Sequence, residues 1–263
     1  MRNILLSSDT IIIKIGSRIL LQENGYPNKE HIQHLVEQIA YLHKNNKKVA
    51  FVSSGAIGCG MQALGFNQRP ASINDLQACA AIGQILLMRI YQDFFSSFNI
   101  QVAQVLLTYD DFKNKIRNFN IKNTIHTLWQ HSVIPIINEN DTVSIDEIKF
   151  GDNDVLASLL AVLLEVKALL LLTTVDGFIK TYPDGTKKVI DYIGYIDEEI
   201  LMNIEEAKPG LSLGGMKSKI MAASNIMEKG GCAIIAPGYI QNVIIKVFNA
   251  EIIGTFLKQA LDD

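Results

Sequence analysis

Short apolar stretches alternate with longer stretches of mixed character along most of the chain. The apolar ones are rich in β-branched residues and leucine and are bounded by glycine or polar residues, which is typical of strands buried on both faces. Between residues 29 and 45, apolar side chains recur at spacings of three and four, at Ile32, Leu35, Ile39 and Leu42. This spacing predicts an amphipathic helix.

The same pattern divides most of the chain into strands and helices. The predicted strands are TIIIKIGS from Thr10, KVAFV from Lys48, IQVAQVLL from Ile100, VIPIINEND from Val133, KALLLLTTV from Lys167, CAIIA from Cys232 and EIIGTFL from Glu251. The predicted helices span residues 29–45, 75–95, 119–130, 154–165 and 216–229. Because apolar strands alternate with helices, the sequence favours an α/β fold, a three-layer α/β/α sandwich around a mainly parallel open sheet. Residues 176–188 carry two Asp-Gly pairs, which predict a hairpin or surface loop.

Composition narrows the class of protein. Of the 263 residues, 48% are hydrophobic and 19% are charged, which suits one large domain or two tightly joined lobes. The formal net charge of −3 gives no basic field that would attract nucleic acid or an anionic membrane. The three cysteines are far apart, lack metal-ligand spacing and are expected to be small buried residues in a reducing cytoplasm. The longest apolar run is broken by Glu165 and Lys167, so no membrane span is expected.

Acidic and amide side chains are concentrated at residues 138–154, NENDTVSIDEIKFGDND. These 17 residues hold six carboxylates, whereas the whole chain holds 27 in 263 residues. Such a cluster repels itself unless cations, a metal or hydrogen-bond donors offset the charge. At its end, Asp152 and Asp154 are placed to cap free backbone N–H groups of the helix that follows. Three acidic residues without a predicted role are expected to be solvated in the loop: Glu139, Asp146 and Glu147.

Glycine-containing turns follow predicted strands at Gly16, at Gly55 with Gly58, and at Gly214 with Gly215. Each could aim unpaired backbone N–H groups at an anion, although a plain structural turn is equally compatible with each one taken singly. The chain lacks the G-x-x-x-x-G-K-[ST] phosphate loop, and no G-x-G-x-x-G follows the first strand. Neither a P-loop enzyme nor a Rossmann dehydrogenase is therefore predicted.

Two lysines stand out by their positions. Lys14 lies inside an otherwise apolar strand, where a buried ammonium is costly unless an anion or ligand offsets it. Lys219 follows a glycine pair within the first turn of a predicted helix, which would direct it at whatever that loop binds. A solvated surface position is the alternative for Lys219.

Several segments carry a further signal because they occur together and in order: IIIKIGS, FVSSGAIGCG, IPIINENDTV with IKFGDND, LLLLTTVDG and LGGMKSK. Together they resemble the amino acid kinase superfamily and, within it, the glutamate 5-kinase family, over residues 10–255. Acetylglutamate kinase, aspartokinase and uridylate kinase share the lysine-containing first strand but lack the combination of SSGAI, NEND and GDND. The resemblance implies ATP-dependent phosphorylation of the side-chain carboxylate of L-glutamate, the first step of proline synthesis, with Mg²⁺.

The resemblance also implies roles for residues that match the family's motifs. Lys14 and Lys219 would flank the transferred phosphoryl group, with Asp154 between them orienting both ammonium groups. Asp141 would pair with the α-ammonium of the substrate. Five residues would bind the amino acid: Ser54, Gly55, Asn138, Asp141 and Asn153.

ATP would lie over the C-terminal half of the chain. The implied contacts are Lys14, Thr173, Thr174, Asp176, Gly177, Leu213, Gly214, Gly215, Met216, Lys217, Ser218 and Lys219. Mg²⁺ would arrive with ATP, since it favours phosphate oxygens over a full protein cage. Three positions depart from the family pattern: Thr174, Leu213 and Lys122. Residues 1–165 would then form an amino-acid-binding lobe and 166–263 a nucleotide-binding lobe of a single domain, without the C-terminal PUA domain of longer relatives.

The resemblance to the family alone implies three further properties. The chain would assemble as a homo-oligomer, either a dimer or a tetramer. Proline would inhibit the enzyme, and the product could be transferred to glutamyl phosphate reductase. Two alternatives remain open: a kinase for another small acid such as acetylglutamate or aspartate, and a sensor on the same fold that has lost catalysis. Asp141 favours a free α-ammonium over an acetylated one, and retention of Lys14, Asp154 and Lys219 together argues against a sensor.

Overall fold

A twisted sheet of eight strands forms the centre of the computed structural model, which describes residues 2–144, 153–205 and 215–260. The described strands, of which all but β6 and β7 belong to this sheet, are β1 (Thr10–Ile15), β2 (Lys48–Val52), β3 (Val102–Leu107), β4 (Ile134–Glu139), β5 (Ala168–Thr173), β6 (Ile179–Thr181), β7 (Lys187–Val189), β8 (Tyr192–Ile193), β9 (Cys232–Pro237) and β10 (Thr255–Leu257). The order in the sheet is β3-β4-β2-β1-β5-β9-β10-β8, and β6 pairs with β7 in a separate hairpin. Strands from β3 to β9 in this order are parallel, so their carboxyl ends meet at one edge.

Helices cover both faces of this sheet. They are α1 (Ile4–Ser7), α2 (Ser17–Leu20), α3 (Lys29–Lys44), α4 (Ala56–Leu64), α5 (Ile73–Ser96), α6 (Lys115–Gln130), α7 (Asp154–Leu163), α8 (Glu198–Glu205), α9 (Met216–Met227) and α10 (Val243–Phe248), with a 3₁₀ turn at Tyr109–Lys113. One core joins the sheet to α3, α5 and α10, and a second joins the opposite face to α6, α7 and α9. The three-layer α/β/α sandwich predicted from the sequence is therefore confirmed.

The two-residue period of β1 explains which side chains enter which core. Ile11, Ile13 and Ile15 belong to the core formed with α3, α5 and α10, and Ile12 belongs to the opposite core. Lys14 has the parity of Ile12, so it points toward the layer of α6, α7 and α9. The central strand of the sheet thus directs one cation toward the layer that contains α7 and α9.

Some boundaries differ from the sequence-based expectation. Helix α6 begins at Lys115 because the Asn114 side chain accepts hydrogen bonds from two backbone N–H groups of its first turn. The last strand is limited to Thr255–Leu257 and runs antiparallel to β9. It follows a turn in which Ala250 and Gly254 both have positive φ, which ends any longer extended run. The Asp-Gly pair at 184–185 does turn the β6–β7 hairpin, as predicted.

The sequence-based predictions about cysteines, membrane spans and lobes can also be compared with the structure. All three cysteines are buried free thiols, as expected of small apolar residues. Within the described ranges, no helix is both long and apolar enough to cross a bilayer. The division of the chain into two lobes near residue 165 stays a prediction.

Candidate active site

A buried carboxylate joins two buried lysines at the carboxyl edge of the sheet. Asp154 Oδ1 lies 2.6 Å from Lys14 Nζ, and Asp154 Oδ2 lies 2.7 Å from Lys219 Nζ. Ser218 Oγ also donates a hydrogen bond of 3.0 Å to Oδ2. The Asp154 side chain has no solvent exposure. Three elements that are distant in sequence, β1, α7 and α9, therefore place their functional groups on one carboxylate.

The start of α7 differs from the sequence-based expectation in one respect. Asp154 was predicted to cap backbone N–H groups, but the residue at the cap position is Asn153, and its side chain makes no capping bond. The Asp154 carboxylate bonds the two lysines instead, because both ammonium groups are desolvated and attract it more strongly than a backbone amide does. Asp152 lies outside the described residues.

The charged groups of this cluster are largely withdrawn from solvent. Among the described residues, two ammonium groups meet one carboxylate, and Lys14 and Lys219 are 2% and 8% exposed. Attraction between charges is strong where water is largely excluded, so two lysines held side by side can attract an anionic group. The arrangement is therefore suited to a phosphate or carboxylate group.

A second group of polar side chains lies beside the first. Asn153 Nδ2 donates to Ser53 O at 2.9 Å, to Asn138 Oδ1 at 2.8 Å and to Ser54 Oγ at 3.4 Å. Gly55 begins α4 with φ 98°, a conformation that suits glycine and turns the chain sharply after Ser54. The structure therefore brings Ser54, Asn138 and Asn153 together, as the resemblance implied.

Two buried acidic residues lie at and just after the end of strand β4. Burial and, to a smaller extent, the negative charge of Glu139 raise the pKa of Asp141 from 3.8 to about 7. Glu139 is 2% exposed and accepts a hydrogen bond from the Ser144 hydroxyl, so its expected role as a solvated loop carboxylate is wrong. It is the last residue of β4, a strand in which every residue is buried because both faces of the sheet are covered. Asp146 and Glu147 lie outside the described ranges.

The residues predicted to bind nucleotide are distributed around the end of β5. Thr173 is half-buried, and its carbonyl accepts a hydrogen bond of 2.8 Å from Gly238 N. Thr174 is exposed. The exposed Asp176 accepts a hydrogen bond from the Tyr239 hydroxyl, which raises the pKa of that phenol. The next residue, Gly177, has φ 148°, and a Cβ there would lie 2.7 Å from Thr255 Oγ1.

The glycine loop before α9 is described only from Gly215 onward. Gly215 and Met216 are half-buried, Lys217 is exposed, and Ser218 and Lys219 turn toward Asp154. Lys219 is therefore in the first turn of the helix, as the sequence indicated. The predicted contacts Leu213 and Gly214 lie outside the described residues. Lys122, one of the departures from the family pattern, forms a surface ion pair with Glu165.

One buried polar residue of the site was not among the sequence-based candidates. Gln84 of α5 is 8% exposed, and its Oε1 accepts a hydrogen bond of 2.9 Å from Asn138 Nδ2. The signal for it was weak but present: Gln84 lies four residues after Ala80 and three before Leu87, on the apolar stripe of the helix. A polar residue at a core position needs a partner.

Comparison with known sequences decides the family. The sequence profile of the Amino acid kinase family matches residues 9–236. Glutamate 5-kinase of Nitrosomonas eutropha is 42% identical over 260 residues, covering 97% of this chain and 69% of that protein. The Clostridium acetobutylicum protein of the same name is 40% identical over 247 residues, covering 93% and 92%. The chain belongs to the glutamate 5-kinase family of amino acid kinases.

Several members of the glutamate 5-kinase family are longer than this chain. It spans about two thirds of the Nitrosomonas protein and of a Thermoanaerobacter relative that is 43% identical, but nearly all of the Clostridium protein. Family members that differ in total length therefore share the region that contains the lysine and carboxylate cluster.

Solved structures agree on the architecture of this kinase. A carbamate kinase from Giardia lamblia superimposes with a TM-score of 0.67 at 19% identity, covering 97% of this chain and all of that chain. A UMP kinase from Bacillus anthracis superimposes with a TM-score of 0.61 at 12% identity, with 97% of each chain covered. At these identities the likeness shows the shared amino acid kinase fold.

Proposed function

We propose that this kinase transfers the γ-phosphoryl group of ATP to the γ-carboxylate of L-glutamate, forming L-glutamyl 5-phosphate, the first step of proline biosynthesis. The observation that carries the proposal is the buried cluster in which Lys14 and Lys219 share the carboxylate of Asp154, beside the hydrogen-bonded Ser54, Asn138 and Asn153. The first group suits a phosphoryl group in transfer, and the second suits a small polar substrate.

The chemistry of the acceptor explains why so few reactive groups are needed. A glutamate side-chain carboxylate has a pKa of about 4.3 and is already ionised at neutral pH, so no general base has to activate it. Phosphoryl transfer then depends on aligning acceptor and donor and on neutralising charge on the phosphoryl oxygens. A site built of fixed cations and amides meets both requirements.

Lys14 and Lys219 act as the fixed cations in this proposal. Asp154 holds both ammonium groups at one carboxylate. Both can then donate to phosphoryl oxygens without reorganising during the reaction, which is the condition for electrostatic stabilisation of a transition state. Asp154 thereby positions the lysines and also keeps two like charges close together.

The amino acid lies along the polar group beside this cluster. Ser54 and Gly55 supply a hydroxyl and a backbone N–H, Asn138 and Asn153 supply amides, and Asp141 pairs with the α-ammonium. Asp141 suits this role because its carboxylate is buried and Oδ1 has no hydrogen-bond partner within the part of the chain that the structure describes. A substrate ammonium would relieve the cost of ionising it there.

ATP lies at the ends of β5 and β9 and at the first turn of α9. Thr173, Thr174, Asp176 and Gly177 border this region from one side, and residues 215–219 from the other. Among the described residues, no cluster of three or more His, Cys, Asp or Glu side chains could hold a metal ion. In this proposal Mg²⁺ arrives with the MgATP substrate, since it favours phosphate oxygens, and there it would neutralise phosphate charge.

Four properties of the whole protein follow from this assignment. We propose cytoplasmic location, assembly into a dimer or tetramer, inhibition by proline, and transfer of the unstable acyl phosphate to glutamyl phosphate reductase. Sedimentation velocity tests the assembly, and titration of proline at fixed glutamate tests the inhibition. A flat activity curve against proline would discard that regulation without affecting the reaction.

The reaction is tested by trapping the acyl phosphate. Purified protein is incubated with MgATP, hydroxylamine and either L-glutamate, N-acetyl-L-glutamate or L-aspartate, and hydroxamate is measured. Product with glutamate alone is the expected result. Product only with another acid would keep the kinase and overturn the assignment of Asp141, while ATP binding without any product would favour the sensor.

A further inference from the structure

Gln84 reaches the substrate region because two helices pack at an unusually short distance. A Cβ added to Gly83 would lie 1.8 Å from the carbonyl oxygen of Ala56, and one added to Gly60 would lie 1.8 Å from the carbonyl oxygen of Cys79. Helices α4 and α5 therefore contact each other backbone to backbone. This contact brings Gln84, the residue after Gly83, to Asn138 at the end of β4.

The orientation of the Gln84 amide follows from its neighbours. Asn138 Oδ1 accepts from the backbone N–H of Glu139 at 3.0 Å, and a backbone N–H is always a donor. The other amide atom of Asn138 is therefore Nδ2, which must donate, and the Gln84 atom that it contacts must be Oε1. The remaining Gln84 atom is Nε2, with two protons to donate.

This Nε2 is buried and has no hydrogen-bond partner within the described part of the chain. An unpaired buried donor costs free energy, so a ligand that offers an acceptor to it would gain a hydrogen bond without losing another. The matching ligand atom is an acceptor, and a carboxylate oxygen forms the stronger, charge-assisted bond. We propose that Gln84 is a substrate-binding residue whose Nε2 donates to the α-carboxylate of L-glutamate.

The choice between the two substrate carboxylates comes from the order of residues along the hydrogen-bond network. Asn153 adjoins Asp154 in sequence and binds Asn138, which in turn binds Gln84. The γ-carboxylate must lie at the Asp154 end, next to Lys14 and Lys219, because the phosphoryl group is transferred there. Gln84 lies at the opposite end, where the α-carboxylate belongs. This inference rests on the proposed function.

Two substitutions separate a binding role from a purely structural one. Gln84→Glu keeps the acceptor atom that Asn138 needs and loses the free donor, whereas Gln84→Met loses both. We expect either change to raise the KM for glutamate about 10- to 100-fold, as for loss of a hydrogen bond to a charged group, with the KM for ATP unchanged. Assays run at pH 7.5 and 8.5, because a buried glutamic acid can keep its proton at the lower pH and then still donate.

A matched control is available in helix α3. Gln38 is also buried, but both of its amide atoms are paired, with His34 O and Ile244 N. Gln38→Glu should lower the melting temperature and leave the KM for glutamate unchanged. A wild-type glutamate KM in Gln84→Glu at pH 8.5 would overturn the inference while the proposed function stands.

Amide analogues identify the carboxylate that is bound. L-isoglutamine carries an amide in place of the α-carboxylate, and L-glutamine carries one in place of the γ-carboxylate. Gln84→Glu should bind L-isoglutamine several-fold more tightly, relative to L-glutamate, than the wild type does. A preference that shifts toward L-glutamine instead would overturn the assignment to the α-carboxylate. Failure of the wild type to phosphorylate glutamate would remove the proposed function itself.

Discussion

The ammonium group of Lys14 and the carboxylate of Asp154 lie 2.6 Å apart, with side-chain exposures of 3% and 0%. The pair links the central strand of the sheet to the first residue of α7. Because Asp154 also binds Lys219, one carboxylate fixes the separation of two cations from different parts of the chain. The position of each lysine therefore depends on the other through their shared partner.

Removal of either lysine should impair the chemical step. We expect Lys14→Ala and Lys219→Ala each to lower kcat by about 10²- to 10³-fold, the usual cost of losing one preorganised stabiliser of a transition state. Steady-state hydroxamate assays at saturating glutamate and ATP measure the change. Lys229→Ala is the matched control, since Lys229 is exposed just beyond the other end of the helix that carries Lys219. Near-normal turnover in either site variant would remove that lysine from the mechanism.

Neutralising Asp154 should affect stability as well as rate. In Asp154→Asn both ammonium groups lose a charged partner, and breaking a buried pair in this way typically costs about 3–5 kcal/mol. Urea unfolding followed by circular dichroism measures the loss. An anion that binds the two lysines should recover part of it, so added MgATP should raise the melting temperature more in the variant than in the wild type. Unchanged stability in Asp154→Asn would mean that the lysines do not depend on this carboxylate.

Glutamate recognition should weaken as the pH falls through neutrality. The pKa of Asp141 is raised to about 7 in the free protein, and protonation removes the charge that pairs with the α-ammonium. We expect kcat/KM for glutamate to fall by up to about tenfold per pH unit below that pKa, as for an essential ionised group. Asp141→Ala should raise the glutamate KM and abolish this pH dependence. A glutamate KM that is unaltered by the substitution would exclude Asp141 from the substrate site.

The same carboxylate should cost stability at higher pH. Because the pKa in the folded state lies above the ordinary value of 3.8, the folded protein binds more protons than the unfolded chain between these two values. Stability from this group is thus present at low pH and lost as the pH rises to about 7. Asp141→Asn should raise the melting temperature at pH 8 and change it little at pH 4.5. An equal effect at both pH values would contradict the shift.

The close contact between α4 and α5 should not tolerate a methyl group. Gly83→Ala would force a backbone separation, and overpacking of this kind typically costs about 1–3 kcal/mol or more. Urea denaturation tests this, with Ala81→Ser at an exposed position of the same helix as the control. The glutamate KM of any folded Gly83→Ala protein should also rise, since the shift displaces Gln84. Wild-type stability would show that the helices have room to move apart.

Patterns among neighbouring residues predicted much of the fold of this protein. The alternation of apolar strands and amphipathic helices gave the three-layer sandwich, because period and length are properties of neighbouring residues. Lys14 was identifiable as a buried cation for the same reason, since it interrupts an apolar strand. Helix α3 and the Asp-Gly hairpin were likewise predicted from local sequence.

Predictions failed where the same local pattern allows two outcomes. An aspartate at the start of a helix usually caps it, and nothing in the surrounding residues of Asp154 shows that two lysines lie within reach. An acidic residue followed by polar neighbours usually lies in solvent, but Glu139 ends a strand whose two faces are both covered. Gln84 appeared as one polar position in a long helix, and its partner Asn138 is 54 residues away.

The sequence by itself determined most of the strands, the five longest amphipathic or buried helices and the unusual cation in the first strand. Only the tertiary structure decided that Lys14 and Lys219 share the carboxylate of Asp154, and that Gln84 meets Asn138. The physical reason is that secondary structure follows from interactions between residues a few positions apart, whereas this site lies where parallel strands end together. Which side chains meet at that edge depends on strand order and helix packing, which bring β1, α7 and α9 to one carboxylate and α5 to the end of β4.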